Sequence, residues 1–336
     1  MKAALRVVAF ALVVCVLTLG GASQALAGRY ASIVVDAQSG KVLYSRNADE
    51  RLYPASLTKM MTLYMVFDAL EKKELSLNTP IKASTRAVGM PPSKLGLKAG
   101  ETITVEEAIK VLVTKSANDV AVMVAEALAG SEVQFAAKMT KKANDLGMKR
   151  STFRNASGLP NTAQLSTAED MATLAMALHK HFPQYYHYFN TRTVTVKGKT
   201  FNTHNRVLLN YKGADGLKTG FINASGFNLV TSAVRDGRRL VGVVFGGESA
   251  GWRDAHMIKL LDQAYAGKQD VEPKGKGAPA MVAAPAPKAT AVASVAAPLP
   301  AVKPVQGGAV QQVALAAAAT TPAPAPAPGP GAPPAV

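Results

Sequence analysis

One cysteine, Cys15, and one tryptophan, Trp252, are all that the 336 residues hold of either type. Cys15 falls inside an apolar stretch, Val7 to Leu19, that follows Lys2 and Arg6 and precedes Ala25-Leu26-Ala27. Basic, apolar and small-residue segments in that order read as a secretory signal peptide cut before Gly28, so residues 1–27 are expected to leave the mature protein. At 13 residues the stretch is short of the roughly 20 that a membrane span needs, which argues against an uncleaved anchor. Without Cys15 the mature chain has no thiol nucleophile and no disulfide. An exported protein of that kind must rely on its hydrophobic core, and residues 28–268 are enough to build one.

Acidic residues are also in short supply, 22 against 38 Lys and Arg, for a net charge of +16. The leader carries +2 of this and residues 269–336 another +2, leaving +12 on residues 28–268. On an exported chain a basic surface suits anionic envelope polymers, membrane surfaces or acidic substrates rather than nucleic acid, and serves equally well as plain solubilising charge. Weak contact with an anionic membrane or envelope polymer is therefore expected. The five histidines are scattered. His179 and His181 have a His-x-His spacing but no supporting cluster of carboxylates or cysteines, so neither a metal nor a cofactor is expected.

After residue 270 the composition changes. Of the 66 residues from Val271 to Val336, 22 are Ala and 14 are Pro, and none is aromatic. Too much proline for helix and too little periodic apolar content for a core predict a disordered, partly polyproline-II tail over 269–336.

In between, the pattern is α+β. "YASIVVDAQSGKVLYSRNADERLYP" predicts a β-hairpin turning at Ser39-Gly40. From Ser56, apolar residues at three- and four-residue steps through Leu70 predict a buried amphipathic helix, with Met60, Met61, Met65, Met171 and Met176 in the core. Further helices are predicted over Val105–Val113, Asp119–Ala129, Glu132–Leu146 and Thr167–His179. Strands follow at 192–198, 216–220, 226–235 and 238–247, with a tight turn at Asp236-Gly237, and a helix over Trp252–Tyr265 closes the domain. The order predicts an antiparallel sheet covered by helices from both chain ends, with a helical insertion between.

Three short motifs carry the chemistry: Ser-Leu-Thr-Lys (56–59), Ser-Ala-Asn (116–118) and Lys-Thr-Gly (218–220). Each is common by chance, and the signal is their order and context. A serine at a helix N-terminus sits among free N–H groups that favour developing negative charge. A lysine three residues on shares its face and can take the hydroxyl proton, provided burial and a second cation, for which Lys218 is the candidate, lower its pKa. Ser116 and Asn118 fall in a break between helices, free of helical constraint. Gly220, near a strand end, leaves room for a substrate backbone.

These motifs resemble those of the low-molecular-weight penicillin-binding proteins, the serine D-Ala-D-Ala carboxypeptidases of peptidase family S11. The resemblance runs through residues 30–266, in "YPASLTKMMT", "VTKSANDVAV", "FRNASGLPN", "LSTAEDMATLA", "THNRVLL", "DGLKTGFINASGFNLV" and "GWRDAHMIKLLDQAY". It implies a β-lactamase/transpeptidase-like fold, an antiparallel sheet flanked by helices with an all-helical subdomain. It implies Ser56 as acylated nucleophile, Lys59 as general base, Ser116 as proton relay and Asn118 as holder of the substrate amide. Lys218 and Thr219, with Arg253, would hold a terminal carboxylate, and the N–H groups of Ser56 and Phe221 would form the oxyanion hole. The family often has histidine where Phe221 stands.

The implied substrates are peptidoglycan stem peptides, with β-lactams as inhibitors and the bacterial periplasm or cell envelope as location. Relatives commonly add a β-rich second domain and a C-terminal amphipathic helix. Neither pattern is visible after residue 270, so an unanchored periplasmic enzyme is expected. The alternatives are a DD-endopeptidase, a β-lactamase and a non-catalytic cell-wall binder. A β-lactamase would need a deacylating carboxylate in a Glu-x-x-x-Asn loop, whereas Glu169 is followed by "DMAT" at a predicted helix start.

Overall fold

The computed structural model describes residues 30–271, and the predicted signal peptide and nearly all of the Pro/Ala-rich segment lie outside them. From the amino end, β1 (Ala31–Asp36) and β2 (Val42–Arg46) form the predicted hairpin. A 3-10 turn, Ala55–Leu57, leads into α1 (Thr58–Glu71). Then come β3 (Pro80–Lys82), α2 (Thr85–Val88) and β4 (Thr102–Thr104). Helices follow: α3 (Val105–Thr114), α4 (Asn118–Ala129), α5 (Glu132–Asp145), α6 (Ala168–His181) and the short α7 (Pro183–Tyr186). The chain continues through β5 (Thr193–Val196), β6 (Lys199–Asn202) and α8 (Arg206–Asn210). It closes with β7 (Ala214–Ile222), β8 (Gly226–Arg235), β9 (Arg238–Gly247), α9 (Ala250–Tyr265) and β10 (Asp270–Val271).

The main sheet has the order β10-β2-β1-β9-β8-β7 and is antiparallel apart from the β10–β2 pair. The fold thus runs past the boundary predicted at residue 268. Side-chain alternation gives the sheet two apolar faces, each needing a cover. In β1, Ile33 and Val35 join the core under the helices, while Val34 joins a second core with Leu240, Val244, Met257 and Leu261. Gly242 faces α9, where a Cβ would stand 2.5 Å from the Met257 sulfur, so its absence lets the helix lie close.

The fold is the predicted α+β class with a helical insertion, but the cover differs in one respect. The C-terminal helix α9 covers one face as predicted, whereas the other is covered by α6 from the insertion. Helix α1 packs among helices instead, because it is apolar nearly all round: only Met65, Asp68 and Glu71 escape full burial. It is therefore not amphipathic. Met60, Met61 and Met171 are fully buried and Met65 and Met176 partly so. The strand predicted at 192–198 is a hairpin, β5–β6, turning at Lys197-Gly198, which have φ of 50° and 72°. Asp236 and Gly237 make the predicted turn with φ of 51° and 73°, the left-handed pair that matches strand twist.

Candidate active site

Ser56 sits in the 3-10 turn, two residues before α1 begins, and not in the helix itself. The turn is bent by Ala55, a non-glycine residue at φ +48°. Two glycines from distant segments clamp it. A Cβ on Gly158 would stand 1.9 Å from the Ala55 carbonyl oxygen and 2.9 Å from the Ser56 nitrogen. A Cβ on Gly220 would stand 3.0 Å from that same nitrogen. Only glycine lets both backbones close on the serine, and Gly158 at φ +88° needs it for conformation as well. The close approach predicted for Gly220 is thus made to the protein's own chain.

Lys59, one helical turn on, is completely buried. Its Nζ lies 2.8 Å from Asn118 Oδ1, 2.6 Å from the Ser157 carbonyl oxygen and 3.2 Å from Ser56 Oγ. The first two partners only accept, so they take two N–H groups. A neutral amine has two N–H groups and one lone pair, which then faces the Ser56 hydroxyl. Burial holds the Lys59 pKa well below the usual lysine range, and the Lys218 charge lowers it further against the opposing pull of Asp119 and Glu132. No carboxylate pairs with it. The packing favours the base form.

Lys218 is also buried, on β7, and donates to the Thr219 carbonyl at 2.9 Å. Burial, then the neighbouring Arg253 charge, bring its pKa down to about 7. Arg253 is held on α9 by Asp254 Oδ1, which accepts from its Nε at 2.9 Å and its Nη2 at 2.6 Å. Ser249 caps this helix by accepting from the Trp252 N–H at 3.1 Å, which sets where Arg253 falls.

Ser116 occupies the break between α3 and α4 at φ +60°, and its buried hydroxyl has no partner within the protein. Asn118 is held on both sides, its Oδ1 by Lys59 and its Nδ2 donating to the Pro91 carbonyl at 3.0 Å.

These groups surround a cleft of about 360 Å3. Of the predicted residues, Ser56, Ser116, Asn118, Thr219, Gly220, Phe221 and Arg253 reach its surface, while Lys59 and Lys218 are not among those that line it. His204 and Arg206 stand on its rim. Partial burial, together with the Lys218 and Lys115 charges, holds His204 below the usual histidine range. None of the described residues that line the cleft is Asp or Glu, and Glu169 is not among them. Its backbone N–H donates to Ala48 at 2.9 Å, at the start of α6.

Several supporting residues escaped sequence reasoning. Asn155 Oδ1 accepts from the Gly158 N–H at 2.7 Å and the Ser157 N–H at 3.2 Å, and Glu132 Oε1 accepts from Ala156 N–H at 3.1 Å. Together they hold the segment that offers its carbonyl to Lys59. Asn228, wholly buried in β8, donates to the Tyr53 and Pro54 carbonyls at 3.0 and 3.3 Å, tying the sheet to the serine turn. A buried amide amid an apolar strand was the available signal.

A serine hydroxyl 3.2 Å from a buried lysine amine whose pKa is held low, in a cleft with cations behind it, is an arrangement suited to acyl transfer through a serine ester. Residues 22–249 match the profile of the D-alanyl-D-alanine carboxypeptidase family, peptidase family S11, and the chain belongs to that family. The chain is 37% identical over 239 residues to a D-alanyl-D-alanine carboxypeptidase of Bacillus subtilis, covering 70% of this chain and 61% of that protein. A carboxypeptidase of Escherichia coli is 36% identical over 249 residues, which are 72% of this chain and 62% of the relative. The chain therefore spans about three-fifths of the length of these curated relatives. Among solved structures, penicillin-binding protein D2 of Listeria monocytogenes in its ampicillin-bound form aligns with a TM-score of 0.63 at 29% identity. That alignment covers 71% of this chain and 97% of the other.

Proposed function

We propose that this protein is a serine DD-carboxypeptidase that removes the terminal D-Ala from peptidoglycan stem pentapeptides, and that β-lactams acylate the same serine. The observation that carries the reading is the Lys59 amine, buried, without a carboxylate, and 3.2 Å from Ser56 Oγ. Lys59 takes the hydroxyl proton as Ser56 attacks the carbonyl of the penultimate D-Ala. The oxyanion forms against the backbone N–H groups of Ser56 and Phe221, a type of contact worth about a hundredfold or more per donor. Ser116 passes the proton to the leaving amine, and the terminal D-Ala departs. Water then hydrolyses the ester.

Asn118 orients the substrate amide and keeps Lys59 in place. Thr219 and Arg253 meet the terminal carboxylate at the cleft surface, with the Lys218 charge acting from behind them. The lack of a lining carboxylate favours slow release of a bound β-lactam over the β-lactamase alternative. The reading includes export, with residues 1–27 as a signal peptide, and action in the cell envelope on the wall itself.

The test is mass spectrometry of the full chain after incubation with benzylpenicillin, wild type beside Ser56→Ala, together with release of D-Ala from a pentapeptide. A stable adduct on the peptide containing Ser56, absent from the variant, supports the reading. Folded protein that forms no adduct and releases no D-Ala refutes it.

A further inference from the structure

Beyond the cleft lies a second, larger cavity of about 1080 Å3. Phe221 and Phe227, with ring centroids 4.4 Å apart, belong to both and form the ridge between them. Tyr30, Tyr44, Trp252 and His256 line the far side. Trp252 stacks on His256 with centroids 4.6 Å apart and planes at 20°, while Tyr30 meets the indole edge-on at 6.0 Å. The Tyr30 hydroxyl and His256 Nε2 share a hydrogen bond of 2.6 Å. The indole is thereby fixed in orientation yet remains 38% exposed, and Phe221 is 49% exposed. Only four large apolar residues are exposed among those described, and these two lie in one groove. Such a concentration marks a binding surface.

We propose that this groove is a subsite for the N-acetylated amino sugar to which a stem peptide is attached. The inference rests on the carboxypeptidase reading above. Pyranose C–H groups carry partial positive charge and settle on the negative face of an aromatic ring, and rigid rings offer that face with little loss of entropy. Direction agrees with chemistry. With the terminal carboxylate at Thr219 and the scissile carbonyl at the Phe221 N–H, a peptide laid antiparallel to β7 sends its upstream residues past Ile222. Three or four extended residues span roughly 10–13 Å at about 3.3 Å each. The amino end, where the sugar is joined, thus arrives beyond the phenylalanine ridge.

Trp252 is the only tryptophan in the chain, so its fluorescence reads the groove directly. The full chain and its Ser56→Ala variant are titrated with glycan strands stripped of stem peptides, and D-Ala release is measured from a free pentapeptide and from a disaccharide-linked one. The expected result is a saturable change of emission in both proteins and a preference of about fivefold in kcat/KM for the disaccharide-linked substrate. Trp252→Ala and Tyr44→Ala each erode that preference and leave turnover of the free pentapeptide unchanged. Silent emission with equal turnover of both substrates overturns the sugar subsite and leaves the carboxypeptidase reading standing. Emission that answers to a free stem peptide but not to stripped glycan makes the groove a peptide subsite and also overturns the proposal. If neither substrate is cleaved and no penicillin adduct forms, the carboxypeptidase reading fails and takes this inference with it.

Discussion

Two lysines flank the cleft, one from the helical half and one from the sheet. Both are buried and neither is paired with a carboxylate, but their surroundings differ in what they leave free. Lys59 meets three oxygens: two that only accept, and the Ser56 hydroxyl. Among the described residues Lys218 makes one hydrogen bond, to the Thr219 carbonyl, and burial and then a neighbouring arginine lower its pKa. Burial explains why both are easily deprotonated. It does not explain which one is the base. On the proposed reading the partners separate them: two accepting oxygens turn the Lys59 lone pair toward Ser56, whereas Lys218 remains a charge that can come and go near neutrality.

The largest expected effect comes from removing the first of the pair. Lys59→Met should slow acylation of Ser56 by benzylpenicillin by about a hundred- to ten-thousandfold, read as adduct formation with time. Loss of an order of magnitude or less would mean that another group takes the proton. Lys218→Met should act through pH. Without the Lys218 charge the Lys59 pKa rises, so the rising limb of the acylation profile moves to higher pH. An unmoved limb would separate the two lysines electrically.

The same substitution has a stability signature of opposite sense. Lys218 binds its proton near pH 7 when folded and near 10.5 when unfolded, so between those values the unfolded chain carries the extra proton. Wild-type stability therefore climbs with pH across that window. Lys218→Met should remove the lysine's share of this slope and add roughly 1–3 kcal/mol at pH 7–8, measured by urea denaturation. A variant more stable but less active is what a strained functional site predicts.

How legible the two halves were from sequence follows the same division. Ser56, Lys59, Ser116 and Lys218 carry their chemistry in the side chain, so motif order could single them out; the fold puts Ser56 and Ser116 on the cleft surface and buries Lys59 and Lys218. The Ser157 carbonyl carries none, since every residue has a carbonyl, and only folding brings it to 2.6 Å from Lys59. Gly220 could be read as room for a backbone, but the target it shares with Gly158, the Ser56 nitrogen, depends on two distant segments meeting. In the fold, the Asp236-Gly237 turn was readable because local strain selects its residues. The cover of the sheet by α6 was not, because α1 reads as amphipathic from its apolar spacing and its burial on nearly every side shows only in the fold.

A smaller effect should follow from loosening the support on the helical side. Asn155→Ala deletes the acceptor for the Ser157 and Gly158 N–H groups, costing about 1–3 kcal/mol of stability by leaving buried donors unpaired. If that loop positions the carbonyl for Lys59, acylation falls about tenfold as the amine loses its orientation, and the rising limb of its pH profile moves to lower pH, because a carbonyl stabilises the ammonium more than the amine. Reduced stability with an unchanged pH profile would confine Asn155 to folding.

The smallest expected effect lies on the sheet side, at Phe221. Its proposed part in acylation is its backbone N–H, which every residue but proline supplies. Phe221→His keeps that donor and substitutes another planar ring at a position 49% exposed to solvent. Acylation by benzylpenicillin should therefore change by no more than about threefold, because the replacement keeps both the donor and a planar ring against Phe227. Turnover of a peptide substrate is the more sensitive reading, because the introduced imidazole lies near Thr219 and Arg253 and can add charge beside a terminal carboxylate below about pH 6.5. A fall in KM for peptide below about pH 6.5, with the acylation rate by benzylpenicillin little changed, would place the carboxylate on this side of the cleft. An equal change in both would mean that the phenyl ring itself shapes the oxyanion hole, and that the sheet contributes more than backbone.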